Sequence, residues 1–309
     1  MHILIMGAGG VGGYFGARFL EAGHQVTFVA RGRHKAAIER DGLSVLSELG
    51  DLHVTDAAVV EDPAAAGTPD IALVCVKLWD TEAAGRALRP LAEAGTAVLS
   101  LQNGVDKDET LAGVLGAAPR IGGVVRIAAH IEAPGTIRHL GTMADLIYGA
   151  YDGDTGAERA FDAAARQTAE TTGGFQARRS ADIQLDIWDK FSFLAPFAGA
   201  TCFYREPVGP IRADADKRAR LQRLIGEAVA VGRAAGVAFP DDREDKALAF
   251  ADGLPDAMKS SMLHDLEAGR RLELDWLPGA VLRVGARTGV ATPESRQVYD
   301  ALARFKDGA

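Results

Sequence analysis

Cysteine is nearly absent from this chain of 309 residues, with only Cys75 and Cys202 present. Neither stands in a CxxC pair or at a Cys/His ligand spacing, so a disulfide framework and a metal centre are not expected. Two reduced core thiols are the expectation. Long hydrophobic runs are missing too: no apolar stretch reaches the roughly 18 residues of a membrane span. The N-terminus carries no basic region ahead of its short apolar run, which argues against a secretory leader. The nearest approach to a span, FSFLAPFAGATCFY at 191–204, is entered by Asp189 and Lys190 and reads as a buried helix. An excess of basic residues is likewise absent: 34 Lys and Arg against 42 Asp and Glu leave a net charge of −8. That balance argues against a nucleic-acid surface but leaves an anionic small substrate open, because the field of a pocket is local. The expectation is a cytoplasmic protein with neither nucleic-acid nor membrane partner, a monomer or homodimer acting on a small molecule.

What is present is ordinary for a globular protein: 48% hydrophobic and 25% charged residues, over about two domains' worth of chain. To about residue 150, strand and helix patterns alternate. The runs ILIMG, VTFVA, IALVCV (71–76) and AVLSL (97–101) are too short for helices and lack strict alternation, as strands covered on both faces do. They read as a parallel sheet. Residues 122–140 add a pair of strands turning at Pro134 and Gly135, residues 158–174 a helix ending at Gly173 and Gly174, and 175–179 a last short strand. From Ser180 helical patterns take over. Leu221, Leu224, Ile225 and Ala228 lie at helical spacing before Gly236, and a segment from Leu277 ends near Gly289 with Pro293 beyond. The fold expected is an α/β domain with a mostly parallel doubly wound sheet at residues 1–179, then an all-α domain at 180–309 that serves substrate binding or dimerisation.

The most informative segment is the first turn. Gly7, Gly9 and Gly12 in MHILIMGAGGVGGYFGARFL stand between an apolar strand and an amphipathic helix. In a dinucleotide-binding turn the first glycine permits the reversal, the second lets backbone approach a pyrophosphate, and the third brings helix against strand. The cofactor contacts expected here are Gly7, Ala8, Gly9, Gly10, Val11 and Gly12. About 20 residues beyond such a turn, NAD-specific folds place a carboxylate on the ribose. This chain has Arg31, followed by Arg33 and His34. A guanidinium grips a 2′-phosphate that a carboxylate would repel, so the segment points to NADP; the plain alternative is a solvated loop cation.

Further polar residues stand where strands end. Lys77 follows IALVCV, and Gln102, Asn103 and Gly104 follow AVLSL, both at the carboxyl edge where open α/β sheets bind ligands. A surface lysine and a plain Asn-Gly turn are the structural alternatives. Lys190 opens an apolar run in DIWDKFSFLAPF, either snorkelling outward or held in a cleft, where desolvation would draw it toward the range of a proton donor. In SSMLHDLEAGRRLELD (260–275), Glu267, Arg270 and Arg271 read as a solvated helix face.

Taken in order, GAGGVG with Arg31, VKLWDT with Lys77, QNG, EAPGTIRHLG (132–141), WDK ending at Lys190, SSMLHD and LELD resemble the ketopantoate reductase (2-dehydropantoate 2-reductase) family over nearly the whole chain. The resemblance implies a Rossmann domain followed by a helical domain, and NADPH-dependent reduction of a 2-oxo acid to a 2-hydroxy acid, with 2-dehydropantoate, on the route to pantothenate, as first substrate. It implies Lys190 as general acid and substrate contact, and Glu273 as its acidic partner and a cofactor contact. Ser261 would hold the substrate carboxylate. Lys77 and Asn103 would lie near the nicotinamide, with Asn103 also touching substrate. Where the family carries amide side chains, this chain has Leu194, Ala198, Met258 and Pro278. An unpaired buried hydroxyl costs about 1–3 kcal/mol, so a more apolar 2-oxo acid is the alternative substrate, with Thr201 a replacement partner for the hydroxyl. A regulator that binds NADP(H) without turnover is the alternative of another class.

Overall fold

The computed structural model describes residues 1–153 and 155–308. The chain divides into two compact units, one comprising Met1–Gln102 and Lys107–Ile183, the other Asn103–Asp106 and the chain from Gln184 onward.

In the first unit the elements run β1 (His2–Met6), α1 (Gly10–Glu21), β2 (Gln25–Val29), α2 (Gly32–Asp41), β3 (Leu43–Leu46), β4 (Leu52–Val54) and β5 (Ala58–Val60). They continue through β6 (Ile71–Val74), α3 (Thr81–Glu93), β7 (Ala97–Ser100), α4 (Lys107–Leu115), β8 (Ile121–Ala133), β9 (Thr136–Ala150), α5 (Gly156–Thr172) and β10 (Gln176–Arg179). One sheet has the order β5-β2-β1-β6-β7, every pair parallel. Its central strand shows why the sequence did not alternate. Ile3 and Ile5 face one apolar cluster with Tyr14, Phe15 and Phe19 of α1, while Leu4 and Met6 face another with Ala84 and Leu88 of α3 and Leu111 of α4. Both faces are buried, so both parities are apolar.

The strand pair expected near 122–140 forms as β8 and β9, antiparallel and longer, turning at Pro134 and Gly135. It belongs to a second sheet, in which β9 also pairs β10 and β3 in parallel and β3 pairs β4 antiparallel. The short β3, β4 and β5, along with α2, have no counterpart in the sequence reading. Helix α5 ends at Gly173 in the left-handed conformation, φ 63°, as its Gly-Gly end implies.

Among the described residues beyond Ile183 the second unit is wholly helical: α6 (Ile183–Tyr204), α7 (Val208–Ala213), α8 (Ala215–Ala234), α9 (Arg243–Gly253), α10 (Ser261–Glu267), α11 (Pro278–Thr288) and α12 (Pro293–Leu302). Its core takes Phe191, Ala195, Ala198 and Cys202 from α6 and Leu221, Leu224, Ile225 and Ala228 from α8. The apolar run at 191–204 is therefore core helix, and no helix among the described residues is long and apolar enough to cross a membrane. The charged stretch at 260–275 is helical only to Glu267. Arg270 and Arg271 lie beyond the helix, and Arg270 pairs with Asp265 at 2.8 Å.

Candidate active site

In the first unit the Gly-rich turn divides its labour by position. Gly7 has φ +105°, and a Cβ there would meet Val76 Cγ1 at 2.9 Å. At Gly12 a Cβ would lie 2.1 Å from the Gly7 carbonyl oxygen, so this glycine lets α1 close on β1. A Cβ on Gly9 would meet nothing within 4 Å, and Gly9 is the N-cap of α1, with no side-chain cap and no acidic residue in the first turn. Backbone donors at a helix N-terminus, beside open space where a side chain would otherwise stand, fit the pyrophosphate of a dinucleotide. Gly10 has a different duty: a Cβ there would lie 2.2 Å from Ala129 O, so it seats the turn against β8. Val11 is partly buried against the core.

Beside the turn lies a cleft of about 250 Å3, lined by Gly7, Ala8 and Gly9, by Ala30, Arg31 and His34 from the end of β2 and the start of α2, and by Val76, Asp80 and Ile131. Arg31 is exposed, at the N-cap of α2. His34, grouped with the cations in the sequence, is not one of them in function. Its ring is bonded on both nitrogens to backbone, to Ala8 O at 2.8 Å and to the Gly135 N–H at 3.0 Å, and burial pushes its pKa below the usual value. A larger cavity, about 640 Å3, is lined by Met1, Pro69, Asp70, Gly95 and Thr96, which precede β1, β6 and β7. It opens at the amino edge of the sheet, whereas ligands of open α/β sheets sit at the carboxyl edge.

Lys77 is exposed at the carboxyl end of β6, its ammonium 5.6 Å from the Trp79 ring centroid. Its loop is tied down by Gln102, whose buried amide donates to Val76 O at 2.9 Å and Thr81 Oγ1 at 2.8 Å and accepts from Ser100 Oγ at 3.0 Å. Of the QNG motif, Gln102 is thus a brace. Two residues that the sequence did not single out sit below it. Lys107 is 2% exposed and donates to Ser100 O at 2.8 Å and to Gly123 O; burial pushes its pKa down. Asp108 beside it, held by the Tyr151 hydroxyl, is pushed up by burial, and the Cys75 thiol nearby rises to about 12. Within the charged run DKDE (106–109) the packing buries Lys107 and half-buries Asp108, while Glu109 is exposed.

In the second unit Asn103 and Lys190 meet: Lys190 Nζ donates to Asn103 Oδ1 at 2.6 Å. Both side chains are half-buried. The stretch of α6 around Lys190 is held by Arg243 of α9, which pairs with the Asp189 carboxylate at 2.8 Å and donates to Asp189 O at 2.6 Å and Ser192 Oγ at 2.9 Å. Arg243 carried no signal in the sequence, where it reads as one more charge at a helix start. Glu273 is buried, and its carbonyl accepts from the Trp276 and Leu277 N–H groups at 3.1 and 3.0 Å. Ser261 is exposed on the first turn of α10, next to Ser260, the buried N-cap that accepts from Leu263 N at 3.0 Å.

Two substrate-tail expectations change. Ala198 is 1% exposed and belongs to the helical core. Thr201 is fully buried, with its hydroxyl bonded to Phe197 O at 2.8 Å and Ser260 Oγ at 2.7 Å, so it is committed to the core. Leu194 and Met258 are half-buried, and Pro278 is buried at the first position of α11.

A parallel-sheet nucleotide-binding unit joined to a helical unit is the architecture of a two-part pyridine-nucleotide oxidoreductase. A family model described as "Ketopantoate reductase PanE/ApbA" matches residues 3–153, and its C-terminal counterpart matches 182–306. The chain belongs to the ketopantoate reductase family, oxidoreductases acting on CH–OH groups. It is 30% identical over 99% of both chains to "Uncharacterized oxidoreductase YkpB" of Bacillus subtilis, and 30% identical over 98% of both to a 2-dehydropantoate 2-reductase of Halobacterium salinarum. Among solved structures, a 2-dehydropantoate 2-reductase from Geobacter metallireducens superposes with a TM-score of 0.89 at 33% identity, covering 98% of this chain and 99% of that one. A D-mandelate dehydrogenase solved with NADH and anilino(oxo)acetate shares the fold, with a TM-score of 0.87, at 21% identity, covering 99% of this chain and 98% of that one.

Proposed function

We propose that this protein uses NADPH to reduce a 2-oxo acid to the 2-hydroxy acid, with Lys190 as proton donor. The observation that carries the reading is the Lys190–Asn103 pair, an ammonium held half-buried by a neutral amide at 2.6 Å. The amide orients the ammonium, and an ammonium so placed can stabilise an oxyanion and give it a proton. Bound NADPH supplies the hydride at the carbonyl carbon. Gly7, Ala8 and Gly9 would hold the pyrophosphate, Arg31 the 2′-phosphate, and Lys77 and Asn103 the nicotinamide half. Ser261 would meet the substrate carboxylate, and the buried Glu273 would organise the lysine and the cofactor.

Arg31 and the absence of a carboxylate at the end of β2 support NADP over NAD. The expected preference for NADPH over NADH is tenfold or more, one charge-assisted bond being worth about 1.5–3 kcal/mol. Arg31→Ala should abolish that preference and leave NADH affinity within about twofold, read by fluorescence titration. Equal affinities in the wild-type protein overturn it.

Among 2-oxo acids, 2-dehydropantoate is the first candidate, the substrate in the name of the Halobacterium salinarum relative. A second reading has one observation behind it: one turn beyond Lys190 stands Leu194, half-buried, while the Thr201 hydroxyl is spent on the core. A more apolar 2-oxo acid suits that surface. NADPH oxidation followed with 2-dehydropantoate, 2-oxoisovalerate and phenylpyruvate decides between them, the expected spread in kcat/KM being about two orders of magnitude. No turnover with any 2-oxo acid, together with tight NADPH binding, favours a redox-responsive binding protein.

A further inference from the structure

We propose that His34 is the positioning residue of the Gly-rich turn, a neutral imidazole carrying its proton on Nε2 that fixes the Ala8 peptide for the cofactor's pyrophosphate. The tautomer is determined by the neighbours. The Gly135 N–H can only donate, so the Nδ1 it approaches at 3.0 Å presents a lone pair. The proton is then on Nε2, which donates to Ala8 O at 2.8 Å. Ala8 also donates its own N–H to Val29 O at 3.1 Å, so both sides of this residue are held, one by β2 and one by α2. Gly135, at φ +78° in the turn between β8 and β9, orients the ring; further along the same hairpin, Ala129 backs Gly10. The turn is thereby held from two directions while the space at Gly9 stays open. A merely structural histidine would need only to anchor the hairpin; His34 instead lines the cleft and holds the carbonyl next to Gly9.

The proposal rests on the reading that this turn binds NADP(H), and the two are separable in one set of titrations. NADPH and adenosine 2′-monophosphate, which lacks the pyrophosphate, are titrated against the wild type and His34→Ala, His34→Gln and His34→Asn, with melting temperatures recorded alongside. His34→Ala should lose tenfold or more in NADPH affinity and stay within twofold for the monophosphate. The glutamine amide reaches where Nε2 stands and can donate to Ala8 O, so His34→Gln should recover most of the affinity. The asparagine oxygen stands near Nδ1 and can serve only Gly135, so His34→Asn should not recover it. If asparagine rescues as well as glutamine, or if the alanine variant binds NADPH as the wild type does, His34 is an anchor of the hairpin and the proposal fails alone. If the wild type binds neither NADPH nor NADH, the cofactor reading falls and the proposal with it. Should the alanine variant not fold, the glutamine-against-asparagine comparison decides.

Discussion

At the scale of single residues, the proposed proton donor of the helical unit is a lysine whose surroundings are built for placement. Asp189 and Ser192, on the second and third turns of α6, are bound by Arg243, and a buried guanidinium with these contacts leaves that stretch of helix little freedom. Lys190 sits between them in sequence and reaches Asn103. Replacing Lys190 by Ala would remove the proposed proton donor without altering the sequence of the Gly-rich turn. We expect kcat to fall by at least about a hundredfold while the NADPH Kd stays within about twofold, measured by steady-state turnover and by titration. Near-normal turnover would transfer the role to another group, Lys77 first.

At the scale of elements, the turn between β1 and α1 offers a direct contrast between glycines. Gly10→Ala would drive a methyl onto Ala129 O at 2.2 Å and Ala129 C at 2.5 Å, both backbone atoms of β8. Backbone cannot rotate away, so α1 or the second sheet must shift. The expected loss is about 1–3 kcal/mol or more of stability, read as a lower denaturation midpoint. Gly9→Ala meets nothing within 4 Å and stands at φ −73°, open to any residue. Its stability should stay within about 0.5 kcal/mol of the wild type. Its NADPH affinity should nevertheless fall tenfold or more, because the methyl would fill the space proposed for the pyrophosphate. An unchanged affinity would show that the pyrophosphate does not lie there.

At the scale of the whole molecule, the first unit carries a built-in response to acid. Burial holds His2, His24 and His34 below the usual histidine pKa of 6.5, burial being the largest cause in each. The folded protein therefore binds fewer protons than the unfolded chain once the pH falls toward 6.5. Stability contributed by the neutral rings is complete above that value and is lost as the pH drops through the lower folded-state values. Melting temperatures should decline between pH 7.5 and 5.5, and the decline should be shallower in His34→Gln, which has no group to titrate. A slope equal to that of the wild type would mean that His34 takes no part in it.

The sequence by itself determined the elements whose signal is local. Strand β1, the glycines after it and helix α1 announce themselves because an apolar strand, a Gly-x-Gly-x-x-Gly turn and an amphipathic helix follow one another directly, although the neighbours that Gly7 and Gly10 answer, Val76 and Ala129, lie far along the chain. The parallel strands are legible since burial on both faces leaves no polar parity, and the helical half follows from apolar spacing closed by Gly236 and Gly289. The family, too, is readable, because its motifs keep their order along the chain. Tertiary structure alone decided which polar groups are spent on the protein itself. His34 looks like part of a phosphate-binding cluster until Gly135, a hundred and one positions away, is found bonded to its ring. Gln102 becomes a brace, Lys107 a buried ammonium and Thr201 a core hydroxyl for the same reason. Ala198, a candidate for the substrate's tail, goes to the helical core, whereas Asn103 and Lys190, eighty-seven positions apart, come together. Hydrogen bonds and burial depend on partners brought close by the fold, and one chain's order of residues carries no record of those partners until the strands have paired and the helices have packed.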